Sequence, residues 1–200
     1  MGIAIPQVIA EDRASGAQVI DGSVVFDRSK LKHLKKTIST TGNQKTFTVS
    51  FWFKKQLVGN VYQYFFTTEY LGSGSYFEIT SNSDQFHVYG GSGIIDVKAT
   101  RKLRDTDGWM HAVVSIDSTI ATPASDRVKI YLNGERQEDY VSGSDVFPPQ
   151  NHPFTLEGSR DWYIGIAEFN GTLSSSYYDG HMSNFYFVDG QALGPEYFGF

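Results

Sequence analysis

Residues 46–54 read Thr-Phe-Thr-Val-Ser-Phe-Trp-Phe-Lys, and the alternation in this run indicates the fold class of the chain. Every second residue from Phe47 to Phe53 is apolar, so in a β-strand these four side chains point to one face. The residues between them are polar except Trp52, which lies on the second face. A period of two sustained over nine residues predicts a half-buried strand.

The same alternation recurs along the chain in short segments separated by turn residues. It is clear in Met110–Asp117 and in Arg127–Asn133, and the second of these ends at Asn133-Gly134, a pair typical of tight hairpins. Weak helical patterns occur only at Ser29–Lys36 and Pro195–Phe198. The shorter predicted strands are Val61–Phe66, Tyr76–Thr80, Gln85–Tyr89, Tyr163–Ile166 and Asn184–Val188. Many short strands with little helix predict an all-β, two-sheet antiparallel sandwich.

Composition supports a single sandwich and excludes several kinds of site. The chain has 200 residues and no cysteine, which excludes disulfides, thiolate metal sites and a cysteine nucleophile. Fifteen Phe, twelve Tyr and twenty Gly supply the side chains of strands and turns. We expect one domain over residues 21–200, with residues 1–20 as an N-terminal arm or edge strand.

The charge distribution restricts the partners. A formal net charge of -5 argues against nucleic acid, and the lack of a long apolar run predicts no membrane span. The first residues also lack the pattern of a signal peptide. One local exception is a basic run within nine residues: Arg28, Lys30, Lys32, His33, Lys35 and Lys36. This run predicts either a solvated strand or turn or a contact with an acidic subunit or an anionic surface.

Four segments, in order, carry a resemblance to a known family. They are Thr48–Lys54, Arg104–Asp117 with its Trp-x-His pattern, Asp126–Gly134 and Tyr178–Leu193. Together they resemble laminin-G-like domains, which belong to the concanavalin A-like jelly rolls, and they span roughly residues 22–198. The resemblance implies a jelly-roll sandwich. Because this fold serves receptors, lectins and adhesins, the resemblance alone does not fix a function.

Three of these segments, Arg104–Asp117, Asp126–Gly134 and Tyr178–Leu193, are also similar in sequence to structural proteins of tailed phages. That similarity implies a non-enzymatic virion module, such as a tail fibre, a tail-associated protein or a capsid-decorating protein. The implied partners are other virion subunits, in a homo-oligomer, and a host-surface glycan. The alternative is a lectin-like carbohydrate-binding module of a cell-surface or secreted protein, with calcium dependence left open.

The sequence lacks the arrangements that enzymes of this fold use. Glycoside hydrolases among concanavalin A-like proteins carry a Glu-x-Asp-x-x-Glu run, and Glu135–Asp139 does not have that spacing. No Gly-x-Ser-x-Gly elbow is present, and the five histidines have no metal-ligand spacing. His111 is predicted to be structural, beside the indole of Trp109. We therefore expect no catalytic activity, no cofactor and no assigned metal.

Two sets of side chains remain as candidate ligands or contacts. Loop carboxylates suited to calcium are Asp84, Asp96, Asp145, Asp161 and Asp179, each also typical of turns. Aromatic residues that could stack on sugar rings or anchor a subunit are Tyr62, Tyr64, Tyr70, Trp162 and Tyr177. Ordinary packing is the alternative for this aromatic group, and it is the expected role of Tyr178.

Overall fold

The computed structural model describes residues 20–72, 76–156 and 158–199. The predicted arm, residues 1–20, falls outside them except for Ile20. The strands are β1 Val24–Phe26, β2 Leu34–Ile38, β3 Thr46–Lys55, β4 Tyr62–Thr68, β5 Phe77–Asn82, β6 Gln85–Gly90, β7 Ile95–Lys102, β8 Met110–Asp117, β9 Val128–Leu132, β10 Glu135–Gln137, β11 Tyr140–Val146, β12 Arg160–Ile164, β13 Glu168–Phe169, β14 Thr172–Leu173 and β15 Gly180–Asp189. Three short 3₁₀ helices are Arg28–Lys30, Ala124–Arg127 and Pro195–Phe198. None of these described helices is long or apolar enough to span a membrane.

The strands form two large antiparallel sheets and one small hairpin. The six-stranded sheet has the order β1-β15-β3-β8-β9-β10, and the seven-stranded sheet has the order β11-β7-β6-β5-β4-β12-β2. The small hairpin pairs β13 with β14. Strands that are distant in sequence, such as β15 and β3, are hydrogen-bonded neighbours in the six-stranded sheet. This topology confirms the predicted all-β jelly-roll sandwich.

The core lies between the two large sheets and is dominated by phenylalanine. All four alternating apolar residues from Phe47 to Phe53 are fully buried, as the sequence predicts. The ring of Phe47 meets that of Phe77 edge-on at 5.6 Å, and the ring of Phe51 lies 5.3 Å from that of Phe65. Each buried Phe contributes about 1.5–3 kcal/mol, so these inter-sheet contacts hold the sandwich together.

Strand β3 is buried on both faces, so the prediction of a half-buried strand is wrong. The segment after β15 covers its second face, where the Thr48 hydroxyl donates to the Gln191 carbonyl at 2.7 Å and accepts from the Leu193 N–H at 2.8 Å. The Pro195–Phe198 helix, whose position the sequence predicts, lies on the same side. Polar residues in β3 are therefore buried with hydrogen-bond partners.

His111 is structural, as predicted, but its aromatic neighbour is Trp52 and not Trp109. The two rings stack at 4.9 Å on the outer face of the six-stranded sheet, and His111 Nε2 lies 2.8 Å from Ser50 Oγ. Trp109 packs instead near His181, at 6.3 Å. Register explains the difference, because Trp52 is directly opposite His111 in the β3–β8 pairing.

One ion pair is buried between the sheets. Lys55, at the end of β3, donates from Nζ to Asp84 Oδ1 at 2.9 Å and to Ser81 Oγ at 3.0 Å. The side chains of Lys55 and Asp84 are only 1% and 2% exposed. Asp84 belongs to the turn between β5 and β6, so the pair links the six-stranded sheet to a hairpin of the other sheet.

The predicted helical pattern at Ser29–Lys36 is wrong. Only Arg28–Lys30 is helical, and Leu34–Ile38 forms β2, an edge strand paired with β12. The hairpin predicted at Asn133-Gly134 is confirmed, since both residues adopt positive φ angles, 51° and 79°. These angles match the twist of a two-residue turn between antiparallel strands.

Candidate functional site

The outer face of the seven-stranded sheet carries an unusual set of polar and aromatic side chains. In β5 and β6 the core receives Ile79 and Val88, so residues of the opposite parity point outward. Cross-strand register places Glu78 beside Tyr89, and Tyr89 beside Asp96. A second row runs through Tyr64, Thr80, His87 and Lys98.

Seven rings form a continuous chain on this outer face, which we call the aromatic face. The centroid separations are Tyr62–Tyr64 5.0 Å, Tyr64–Phe169 6.2 Å, Phe169–Tyr70 5.4 Å, Tyr70–Tyr76 4.7 Å, Tyr76–Tyr89 6.0 Å and Tyr89–His87 5.4 Å. Five of the rings are half-buried, while Tyr64 and His87 are buried. Half-buried tyrosines offer an apolar surface and a hydroxyl to a ligand.

Glu78 lies at the base of the aromatic face and is held by a tyrosine. The Tyr62 hydroxyl donates to Glu78 Oε1, and the glutamate is only 4% exposed. Burial raises the pKa of Glu78 to about 7, against the opposing effect of the Tyr62 hydrogen bond. Burial also raises the pKa of the Tyr62 hydroxyl, and the nearby charge of Glu78 raises it further. Near neutral pH this carboxyl therefore exists in both protonation states.

His87 and Asp96 form the second polar pair of the aromatic face. His87 Nε2 lies 2.8 Å from Asp96 Oδ1. Burial lowers the pKa of His87 and outweighs the opposing effect of Asp96, which favours the neutral imidazole. The hydrogen bond then places the proton on Nε2, which leaves Nδ1 as an acceptor. Nδ1 is buried and has no hydrogen-bond partner among the described residues.

The β13–β14 hairpin, which lies outside the seven-stranded sheet, supplies the Phe169 ring. Phe169 forms an isolated bridge with Tyr70, and the Tyr70 N–H donates to the Glu168 carbonyl at 3.3 Å. These contacts carry the Phe169 ring to a position between Tyr64 and Tyr70. The hairpin therefore closes one side of the aromatic face.

The structure brings together three of the five predicted ligand-binding residues. Tyr62, Tyr64 and Tyr70 share the aromatic face. Trp162 lies on the opposite side of its strand, where its ring packs 5.4 Å from that of Phe66. Tyr177 is buried in a small apolar cluster with Tyr163 and Ile166. Tyr178 packs as predicted, since it is fully buried and its hydroxyl donates to the Lys54 carbonyl.

Sequence reasoning missed four rings of the aromatic face: Tyr76, His87, Tyr89 and Phe169. The alternation in the predicted strand Gln85–Tyr89 contains a usable signal, because the apolar residues at 86 and 88 leave His87 and Tyr89 on the outer face. Phe169 offers no such signal. Its position depends on a two-residue strand after a loop.

The predicted basic cluster does not form one continuous surface. Lys30 pairs with Asp27 at 3.4 Å, and Lys35 pairs with Asp161 at 2.5 Å. Lys35 Nζ also lies 5.5 Å from the centre of the Tyr163 ring, on the outer face of β2. Lys36 has the opposite parity and points to the other face. Arg28 and Lys32 are surface residues beside the Arg28–Lys30 turn.

The calcium candidates do not converge. Asp84, Asp96 and Asp161 are each engaged with a cationic or histidine side chain. No group of three or more His, Asp or Glu side chains suited to a metal ion occurs among the described residues. A calcium site needs several oxygen ligands around one point, so these carboxylates do not fit one.

The two stacked antiparallel sheets form a sandwich of the concanavalin A-like jelly-roll type. A laminin G family model, described as the concanavalin A-like lectin/glucanases superfamily, matches residues 30–193. The chain belongs to this family. No curated protein matches its sequence.

Three solved structures illustrate the likeness. Domain 4 of AbnA, an extracellular arabinanase from Geobacillus stearothermophilus in complex with arabinotriose, has 16% identity and a TM-score of 0.62, over 87% of this chain and 73% of that one. Domains LG4-5 of the mouse laminin α1 chain have 12% identity and a TM-score of 0.57, over 88% and 44%. The Ruminococcus gnavus sialidase CBM40, bound to α2,3-sialyllactose, has 11% identity and a TM-score of 0.53, over 82% and 95%. At these identities the likeness concerns the fold.

Proposed function

We propose that this domain binds glycans through the aromatic face and does not cleave them. The observation that carries the proposal is the continuous chain of seven rings. The apolar faces of sugar rings stack on aromatic side chains, and sugar hydroxyls need polar partners close by. The hydroxyl groups of the half-buried tyrosines, Tyr70, Tyr76 and Tyr89, offer such partners on the same face.

The dimensions of the face favour a short oligosaccharide. The strands from β4 to β7 are consecutive neighbours in the sheet, so three strand spacings, about 14 Å, separate the first from the last. The separate carbohydrate complexes of the arabinanase domain and the CBM40 domain support a glycan as ligand, because both share this fold.

The non-enzymatic part of the proposal rests on how the carboxyls of the face are engaged. Glu78 and Asp96 lie two strands apart, with Tyr89 between them in the register. Asp96 is bonded to His87 and Glu78 to Tyr62. A hydrolase needs one carboxyl to protonate the leaving oxygen and a second to act on the opposite side of the sugar ring. Here the space between the two carboxyls is occupied by a tyrosine.

The test is a glycan array, followed by calorimetry on every hit, both with calcium and with chelator. Tyr89→Ala is expected to weaken binding about tenfold, equivalent to about 1.4 kcal/mol. Tyr197→Ala is the matched control, because Tyr197 is 66% exposed and lies in the Pro195–Phe198 helix, against the other sheet. A blank array under both conditions would overturn the proposal. Release of reducing sugar from any hit would overturn its non-enzymatic part.

For the setting, we propose an adhesive or structural module of a tailed-phage virion, acting as a homo-oligomer and contacting a host-surface glycan. This setting is supported by the similarity of three segments to structural proteins of tailed phages: Arg104–Asp117, Asp126–Gly134 and Tyr178–Leu193. An extracellular lectin-like module is the alternative. Electron microscopy of particles with this chain labelled tests the virion setting. Virus particles that show no label at any position would refute the virion setting.

A further inference from the structure

Two lysines of β7 border the aromatic face. Lys98 lies directly opposite His87 in the register between β6 and β7, and Lys102 lies opposite Gln85. Phe86, between them on β6, is fully buried in the core, so Gln85 and His87 point to the outer face. Directly opposite residues of an antiparallel pair project to the same face, so both lysines lie on the outer face as well. We call these two lysines the basic margin of the aromatic face.

Neither ammonium group of the basic margin forms an ion pair with a described residue. Lys102 Nζ donates to two neutral acceptors, the Ser83 carbonyl at 2.8 Å and Gln85 Oε1 at 2.9 Å. By contrast, Lys35 and Lys55 each pair with an aspartate. The positive charge of the margin is therefore not matched by a bonded carboxylate from the described part of the chain.

The two ammonium groups of the margin destabilise each other. Lys98 is half-buried, and this burial lowers the pKa of its ammonium group. The charge of Lys102 lowers that pKa further, while the charge of Asp96 opposes both effects. Because the charged form of Lys98 is disfavoured at this place, an anion bound beside it would stabilise that form. The basic margin therefore favours a negatively charged group on a ligand.

The basic margin lies within reach of a sugar stacked on the aromatic face. Tyr89 is directly opposite Asp96, and Lys98 is two residues further along β7, so Tyr89 and Lys98 are diagonal neighbours on adjacent strands. Diagonal neighbours are about 7–8 Å apart, which aromatic and long side chains can bridge. A sugar ring that stacks on Tyr89 therefore presents its substituents to the Lys98 ammonium.

Asp96 is the carboxylate that acts against an anion at this place. It lies on the same face as Lys98, two residues earlier in β7, and its Oδ1 is 2.8 Å from His87 Nε2. The two ammonium groups outnumber this single negative charge, so the margin remains net positive. Only a sugar that carries an anionic group would gain from that net charge.

We propose that the glycan bound by this domain is acidic, and that Lys98 binds its carboxylate or sulfate group while Lys102 adds positive charge beside it. The tyrosines stack on the sugar ring, and the Lys98 ammonium donates to the oxygens of the anion. Lysine suits this role because its ammonium is a compact charge with three donors. This inference rests on the proposed glycan binding by the aromatic face and specifies the chemical class of that glycan.

The test uses pairs of oligosaccharides that differ only in charge. An array of the full-length protein's possible ligands carries each carboxylated glycan beside its methyl ester and each sulfated glycan beside its desulfated form. We expect the acidic member of a bound pair to bind about fivefold more tightly than its neutral partner. This advantage should shrink between about 0.1 M and about 1 M salt, because the Debye length falls from about 10 Å to about 3 Å. The carboxylated and the sulfated pairs, scored separately, identify the anion.

The outcomes of the array separate this inference from the proposed function. Neutral glycans that bind as tightly as their acidic partners would overturn the preference for an acidic glycan and leave glycan binding by the aromatic face in place. An array with no bound glycan of either kind would overturn the proposed function itself, and this inference with it.

Lysine variants locate the contact, measured by calorimetry on the strongest acidic hit. Lys98→Gln should weaken binding of the acidic glycan about fivefold and leave binding of its neutral partner unchanged, whereas Lys98→Arg should retain the affinity because the charge is kept. The double variant Lys98→Gln/Lys102→Gln should also lose the salt dependence. Lys129→Gln is the matched control, because Lys129 is also half-buried but lies on β9 in the other sheet. Equal affinity of Lys98→Gln and wild type for the acidic glycan would overturn the assignment of Lys98.

Discussion

Replacing Lys55 with Met should be among the most destabilising single changes in this domain. The ammonium contacts Asp84 at 2.9 Å, Ser81 at 3.0 Å and the Leu103 carbonyl at 3.3 Å. Burial opposes ionisation of Asp84, but the Lys55 and Gly59 hydrogen bonds outweigh it and hold the pKa of Asp84 below its ordinary value. Lys55→Met therefore leaves a buried charge without its main partner.

The expected loss follows from that geometry. Breaking a buried ion pair by removing one partner costs about 3–5 kcal/mol. A domain of this size loses about 2–4 °C of Tm per kcal/mol, so the expected shift is about 6–20 °C. Two contacts to Asp84 survive in the variant. The Gly59 N–H donates at 2.8 and 2.9 Å, and the exposed Arg104 lies 3.5 Å away. These contacts favour the lower half of the range.

Urea denaturation followed by circular dichroism measures the loss. The neighbouring variant Lys54→Met is the matched control, because Lys54 points to the other face of β3, and it should change stability by less than about 0.5 kcal/mol. The double variant Lys55→Met/Asp84→Asn should recover part of the loss, because no charge then remains buried. A loss below about 1 kcal/mol in Lys55→Met, or strict additivity in the double variant, would refute the reasoning.

Three further predictions concern stability. Burial lowers the pKa of His111 to about 4. The free energy of unfolding should therefore fall by about 3 kcal/mol as the pH drops from 6.5 to 4. In His111→Gln, urea titrations should no longer show this pH-dependent loss of stability. The raised pKa of Glu78 acts in the opposite direction, because its contribution is lost as the pH rises from 4.5 through about 7. Glu78→Gln should therefore be more stable than wild type at pH 8 but not at pH 4, and equal effects at both pH values would contradict this assignment. In Gly180→Ala the added Cβ would lie 2.1 Å from the Lys54 carbonyl oxygen, whereas in Gly190→Ala it would have no atom within 4 Å. Because both glycines have a positive φ, the two variants share the backbone strain and differ in the clash. The Tm of Gly180→Ala should therefore fall far more than that of Gly190→Ala.

The fold could be predicted because its strongest signals are local. The alternation from Phe47 to Phe53 and the Asn133-Gly134 turn depend on residues adjacent in sequence. β2 could not be found in this way, because its polar residues obscure the alternation. Lys35 and Lys36 are typical of an edge strand, yet a charged run in the sequence looks the same in a loop.

The aromatic face could be predicted only in part for a related reason. Tyr62 and Tyr64 lie two residues apart on one strand, so parity alone groups them. Their proximity to Phe169, and that of Tyr70 to Tyr76, depends on which strands are neighbours. The pairing of Trp52 with His111 has the same origin. Sequence patterns give the direction of a side chain but not the strand opposite it.

The segment that follows β15 also has a practical consequence for the binding experiments. It runs back over the six-stranded sheet and ends near His111 and Tyr186, on the reverse of the sandwich from the aromatic face. Because Phe198 lies on that reverse side, a tag fused to this end of the domain is directed away from the aromatic face. Anchoring the protein to a biosensor chip through such a tag would direct the tyrosines toward the flowing sample, whereas random coupling through lysines would block Lys98 in some molecules.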